Sequence, residues 1–207
     1  MRTYTLAPLL AATLLAGCSS TTLIDAPSAT TNAPPSDSSV SAGQRAFVFE
    51  SGTVPIGDFD PFTLAPEDYF DPCNDITEDE FRRAGFTGEI KRSTDGEIDS
   101  PHGTSVCMFK DLDSNWITGL ASVDANRNMV EEMQPSSSEY GSDVLPSLYV
   151  YRNGDQVTAS NPCVAQIDTI YGGIGVFVQT PNDGDGFEIL CPAAVEKLES
   201  LFLINNE

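Results

Sequence analysis

Five cysteines set the limits on this 207-residue chain. Cys18 ends an early apolar run, in the stretch Leu14-Leu15-Ala16-Gly17-Cys18. Cys73, Cys107, Cys163 and Cys191 are spread over the rest. The first stretch has the pattern of a bacterial lipobox, in which small residues lie extended in a peptidase cleft and the cysteine thiolate takes up lipid. On that reading Cys18 is the first residue of the mature chain. The other four are an even set in an oxidising compartment, which predicts two disulfides.

Residues 1–17 carry the parts of an export signal: a basic start at Arg2, an apolar centre and small residues before the cut. The centre, Leu6 to Leu15, is shorter than the ~20 apolar residues that a membrane helix needs. A diacylglyceryl cysteine supplies two acyl chains, enough for stable anchoring where one chain is marginal. The expected location is the extracytoplasmic face of the cell membrane. Residues 18–44 hold the lipidated cysteine and a Ser/Thr/Ala/Pro tract without periodicity. Such a tract cannot bury enough apolar surface to fold and reads as a disordered tether, spanning on the order of 25–30 Å if flexible. Residues 45–207 remain for a single domain with a sizeable core.

The formal charge is −21, and loss of Arg2 with the leader makes the mature chain one unit more negative. That charge repels nucleic acid and anionic headgroups. It leaves neutral or cationic partners open, or serves solubility alone.

Ala46–Glu50 alternates like a strand, and 51–72, rich in Gly, Pro and Asp, reads as an irregular lead-in with Phe59, Phe62 and Tyr69 available to the core. The clearest local signal follows. Thr77 with Glu80 is a capping box, and Ile76 with Phe81 is a hydrophobic staple. Acids fill the first turn, Arg82 and Arg83 the last, and Gly85 stops the helix. Strands are predicted over 88–92, 104–110, 116–123, 147–152, 163–168 and 174–180, with a short helix over 126–133. Asn153-Gly154 is a hairpin signal. Gly172-Gly173 reads as a loop, Phe187–Leu190 as a return, and Pro192 as the opening of a last helix with Val195, Leu198, Leu201 and Phe202 on one face. The fold class is α+β: an antiparallel sheet with a short capped helix and a C-terminal helix packed on it. Four cysteines allow three pairings. Their order favours Cys73 with Cys107 and Cys163 with Cys191, each clipping a helix start to a strand, worth about 3–4 kcal/mol apiece in the chain-entropy model.

Asp71-Pro72-Cys73, the Ile76-Thr77 step and the ending Phe81…Ala84-Gly85-Phe86 resemble the opening motif of the domain of unknown function 3558 family of actinobacterial lipoproteins. Cys107 with Phe109 two residues on, Cys163 and Cys191-Pro192 match that family's later layout. The resemblance implies a lipobox, a tether, a further strand cysteine and a late cysteine followed by a final helix. It implies no chemistry, because the family carries no established activity.

Motifs for catalysis are missing. There is no Gly-x-Ser-x-Gly elbow or Ser-x-x-Lys pair, and no glycine loop followed by a lysine for phosphate. The one histidine, His102, lies in a Pro-His-Gly loop. No cysteine pair has zinc spacing. Asp111-x-Asp113-x-Asn115 starts like a calcium loop, but Trp116 stands at position six and Ser122 at position twelve. Asn182-Asp183-Gly184-Asp185-Gly186 lacks a closing glutamate. No cofactor and no metal are expected. Tyr149 and Tyr151 on one strand face and Trp116 on another strand are the candidates for ligand contact, as aromatic faces with polar handles; the competing reading places them in the core. The expected function is a membrane-anchored, non-catalytic binding module of the cell envelope, whose partner is a protein, a glycan or a small ligand. The alternatives are a carboxylate-dependent envelope hydrolase and an accessory or scaffold subunit of an envelope complex. A cleft with two acids, one of them desolvated, would point to the hydrolase.

Overall fold

The computed structural model describes residues 44–92, 105–110, 116–133, 139–152, 162–180 and 186–206. Cys18, the tether up to residue 43, His102, Asn153-Gly154 and the Asp111–Asn115 run lie outside the described residues, as does all but Gly186 of the later acidic run.

The first elements are β1 (Ala46–Phe49) and β2 (Gly52–Pro55), an antiparallel hairpin with Ala46 opposite Pro55. The lead-in predicted as irregular therefore begins with a strand. Its Gly and Pro residues hide that strand in the sequence, and it tolerates them because it belongs to a two-stranded ribbon. Ile56 bridges to Thr169, and the Gly57 N–H donates to the Asp168 carbonyl at 3.1 Å, so the ribbon is stitched to the main sheet. Phe59 packs inside, edge-on to Tyr69, but Phe62 is 81% exposed, contrary to the sequence expectation. An Asx-type turn, with the Phe62 N–H donating to Asp60 Oδ1 at 2.9 Å, turns its ring outward.

Next come α1 (Pro72–Asp75) and α2 (Glu78–Arg83). Asp71 caps α1 by accepting the Cys73 N–H, with Pro72 at the first helical position. In α2 both halves of the Thr77/Glu80 capping box form. Its end is a Schellman motif: the Phe86 N–H donates to the Phe81 carbonyl, the Gly85 N–H donates to that of Arg82, and Gly85 sits at φ +76°. The Phe81 and Phe86 rings meet at 5.5 Å, and Phe109 lies 4.9 Å from each.

The main sheet is formed by β3 (Ile90–Arg92), β4 (Val106–Lys110), β5 (Ile117–Val123), β6 (Tyr149–Arg152), β7 (Cys163–Thr169) and β8 (Gly172–Gln179), in the order β3-β4-β5-β8-β7-β6 and antiparallel throughout. Between β5 and β6 lies α3 (Arg127–Met133), and α4 (Phe187–Leu203) closes the chain. The β7–β8 connection is the two residues Ile170-Tyr171. Gly172 and Gly173, predicted as loop, belong to β8, and only Gly172 has the left-handed φ of +95° that a turn asks of glycine.

The last helix starts five residues before Pro192. Gly186 is its N-cap, and the N–H groups of Ile189 and Leu190 donate to the Gly186 carbonyl. Pro192 deprives only the Glu188 carbonyl of a partner, and both residues lie on the exposed side, where water can replace it. The buried side, with Leu190, Ala194, Leu198 and Leu201, crosses β7 and β8 and also touches β1 and α2.

Two faces of the sheet are thus distinguished. One meets α4 in the main core through Phe109, Leu120, Ala165, Ile167 and Val176. The opposite face carries a smaller cluster of Val130 from α3 with Tyr149, Tyr151 and Val164, half-covered by Phe177 and Ala125. Disulfides join Cys73 to Cys107 and Cys163 to Cys191, with Cα separations of 5.4 and 5.2 Å. This is the pairing favoured by cysteine order. Cys73 sits within α1, and Cys191 sits inside α4 rather than ahead of it.

Candidate functional site

Strand parity builds the site. Tyr149 pairs with Gln166, and Tyr151 pairs with Val164. Because Val164, Gln166 and Asp168 alternate on β7, all three share a face with the two tyrosines. The tyrosine rings lie 6.1 Å apart and nearly parallel. Their hydroxyls reach different partners: Tyr149 donates to Asp168 Oδ1 at 2.8 Å, and Tyr151 donates to Gln166 Oε1 at 2.7 Å. Gln166 Nε2 in turn donates to the Ala125 carbonyl at 2.7 Å, and more weakly to Asp168 at 3.4 Å. The Arg127 N–H donates to Asp168 Oδ2 at 2.9 Å. This polar clasp fastens the start of α3 to the sheet.

Asn126 caps α3 through its Oδ1, which accepts the Met129 N–H, while its Nδ2 donates to the Phe59 carbonyl at 3.2 Å. The Arg127 guanidinium lies 4.6 Å from the centroid of the Tyr149 ring and donates to the Ser147 carbonyl at 2.6 Å. A stacked, hydrogen-bonded guanidinium has few rotamers left to lose. Among the described residues it takes part in no ion pair; those present are Arg82–Glu78, Arg83–Asp79 and Lys91–Glu89.

Burial pushes the Asp168 carboxyl above its ordinary range, although the Arg127 N–H, the Tyr149 hydroxyl, the Gln166 amide and the Arg127 charge all pull the other way. Burial, followed by the Asp168 charge, drives both phenols upward as well. Beside the clasp opens a cavity of about 340 Å³, whose walls include Ile56, Asp58, Phe59, Arg127, Ser147 and Asp168. That volume falls in the range of small-ligand sites.

Tyr149 and Tyr151, expected together on one strand face, are together, but both are buried and present no ring to the surface. Packing of α3 over the far side of the sheet covers them. Trp116 is half-buried against the main core and lies apart from the tyrosines. The four bridged cysteines serve the fold. Among the described residues no group of three or more His, Cys, Asp or Glu side chains is placed to hold a metal ion. Arg127, Gln166 and Asp168 are the residues that sequence reasoning missed. The only available signal was parity along β7, useful once its pairing with β6 is known.

The architecture defines a disulfide-clasped α+β domain with a polar cluster on the sheet face away from its long helix. The family model described as "Protein of unknown function (DUF3558)" matches residues 13–202, and the chain belongs to that family. No curated protein and no solved structure matches the chain. No helix among the described residues is long and apolar enough to cross a membrane.

Proposed function

We propose that this protein is a lipid-anchored, extracytoplasmic, non-catalytic binding module of the cell envelope, and that its ligand enters the cavity beside Arg127. The lipobox ending at Cys18 and the two disulfides support the location. The observation that carries the binding reading is Arg127 itself. Its guanidinium is held by the Tyr149 ring and the Ser147 carbonyl, makes no salt bridge among the described residues, and borders an open cavity.

One observation favours the hydrolase alternative: Asp58 and the desolvated Asp168 border the same cavity. Against it, both Asp168 oxygens already accept hydrogen bonds, two of them from the groups that hold α3 and β6 in place. A carboxyl so engaged anchors the fold, and a proton shuttle needs an oxygen aimed at substrate.

Two measurements test the proposal. The intact mass of the membrane-extracted protein should show a diacylglyceryl Cys18 at the N-terminus; an unacylated chain with its leader attached overturns the location. Soluble fragments of cell-wall digest should raise the unfolding temperature of the wild type but not of Arg127→Gln. An equal rise in both removes the cavity from the binding site.

A further inference from the structure

The Arg127 cavity contains one available charge of each sign. Asp168 is spent within the clasp, where its two oxygens accept from the Arg127 N–H, Tyr149 and Gln166. The guanidinium uses one nitrogen on Ser147 and is fixed in direction by stacking, which leaves further N–H donors in a planar fork. Asp58, on the segment following β2, is exposed on the same cavity, and among the described residues it makes neither a hydrogen bond nor an ion pair. Ile56 and Phe59 supply apolar wall in the same cavity.

We infer that this cavity binds a small amino-acid-type zwitterion, such as a free amino acid or a short peptide with both ends free; the inference rests on the binding-module reading above. The ligand carboxylate lies on the Arg127 fork, a geometry that carboxylates match with two parallel hydrogen bonds. The ligand ammonium lies toward Asp58, and short aliphatic side chains lie on Ile56 and Phe59. Net charge selects in the same direction. A chain of −21 repels a simple anion at long range, whereas a zwitterion has no net charge for that field to repel. A single free charge in the cavity would fit many ligands. Two of opposite sign, in a cavity that also has apolar wall, restrict the class.

The test is calorimetric titration of the detergent-solubilised full chain with Ala-Ala, N-acetyl-Ala-Ala, Ala-Ala amide and N-acetylglucosamine. Ala-Ala should bind saturably, and each capped form should bind at least tenfold more weakly. Asp58→Asn should make the free and acetylated dipeptides equivalent, and Arg127→Gln should do the same for the free and amidated dipeptides. Asp58 is exposed, so its variant keeps the fold, and Arg127→Gln retains the backbone N–H that holds Asp168. Capping without effect, or with the same effect in both variants as in the wild type, overturns the inference. Binding of N-acetylglucosamine alone, weakened in Arg127→Gln, overturns the zwitterion and leaves the binding module standing. Binding of no probe overturns the zwitterion and the cavity reading together.

Discussion

Glu80 and Asn205, 125 residues apart, meet where the Asn205 side-chain amide donates to Glu80 Oε1 at 3.1 Å. The same carboxylate accepts the Glu50 N–H at 2.8 Å, and its other oxygen accepts the Thr77 N–H at 2.9 Å and the Thr77 hydroxyl at 3.0 Å. A capping-box glutamate thus joins β1, α2 and the C-terminal tail from a fully buried position. Burial raises its pKa, but the four hydrogen bonds outweigh burial and leave it below the ordinary glutamate range.

Glu80→Gln should therefore destabilise the fold by about 1–3 kcal/mol at neutral pH, because its amide group turns a donor toward N–H groups that need an acceptor. The loss has a pH signature. A lowered folded pKa means that the stabilisation is full above the unfolded glutamate value of about 4.3, and is lost as pH falls through the folded one. Urea unfolding from pH 7 down to pH 3 should show the wild-type advantage shrinking below about pH 4. An advantage independent of pH would contradict this account.

The two disulfides close loops of similar span, with sequence separations of 34 and 28. Removing either pair as a double serine variant should cost about 3–4 kcal/mol by the chain-entropy argument. The consequences should differ in place. Without Cys163–Cys191, the start of α4 loses its tie to β7, and amide exchange should accelerate over residues 187–192. Without Cys73–Cys107, exchange should rise in α1 and β4 instead. Uniform exchange in both variants would show that the clips act only on the unfolded chain.

How far the sequence can be read depends on the range of the interaction. The capping box, the staple and the Gly85 stop rest on residues within one or two turns, and Thr77, Glu80 and Phe81 announce themselves locally. The outward role of Glu80 toward Glu50 and Asn205 does not, because its partners come from opposite ends of the domain. The site is similar. Tyr149 and Tyr151 are visible as a pair sharing a strand face, but Asp168 lies 19 residues from Tyr149 and 41 from Arg127; the β6–β7 register brings the first to it and the placement of α3 the second. Proline and glycine misled twice for the same reason. Pro55, the last residue of β2, and Pro192, inside α4, occupy places where a missing N–H costs little, so neither excludes the element it belongs to.

Gly172 should tolerate no side chain. Its φ is +95°, and a Cβ built there would lie 2.6 Å from the Tyr69 ring. Thr169 Oγ1 further pins the turn by accepting the Tyr171 N–H at 3.1 Å and donating to the Gly172 carbonyl at 2.6 Å. Gly172→Ala combines backbone strain of about 1–3 kcal/mol with displacement of an aromatic ring packed on Phe59. A fall in unfolding temperature of several degrees is expected. An unchanged value would mean that the turn does not hold this conformation in solution.

The clasp around Asp168 predicts a pH dependence opposite to that of Glu80. Its carboxyl pKa is raised by burial, so the folded chain holds the proton more tightly than the unfolded chain does. With a folded pKa above the unfolded one, wild-type stability declines as pH rises past the unfolded aspartate value of about 3.9, and levels off above the folded value. Asp168→Asn removes that term, at a cost of about 1–2 kcal/mol for the acceptor lost to the Arg127 N–H. Its deficit against the wild type should therefore be largest in acid and narrow as pH rises. The tyrosines provide an independent check on the same packing. With both phenols pushed up by burial and by the Asp168 charge, neither Tyr149 nor Tyr151 should ionise near pH 10 while the domain is folded. Ultraviolet titration of Tyr149→Phe and Tyr151→Phe should match the wild type until the alkaline unfolding step. A variant that loses a phenolate signal near pH 10 would place that ring in water and dissolve the clasp.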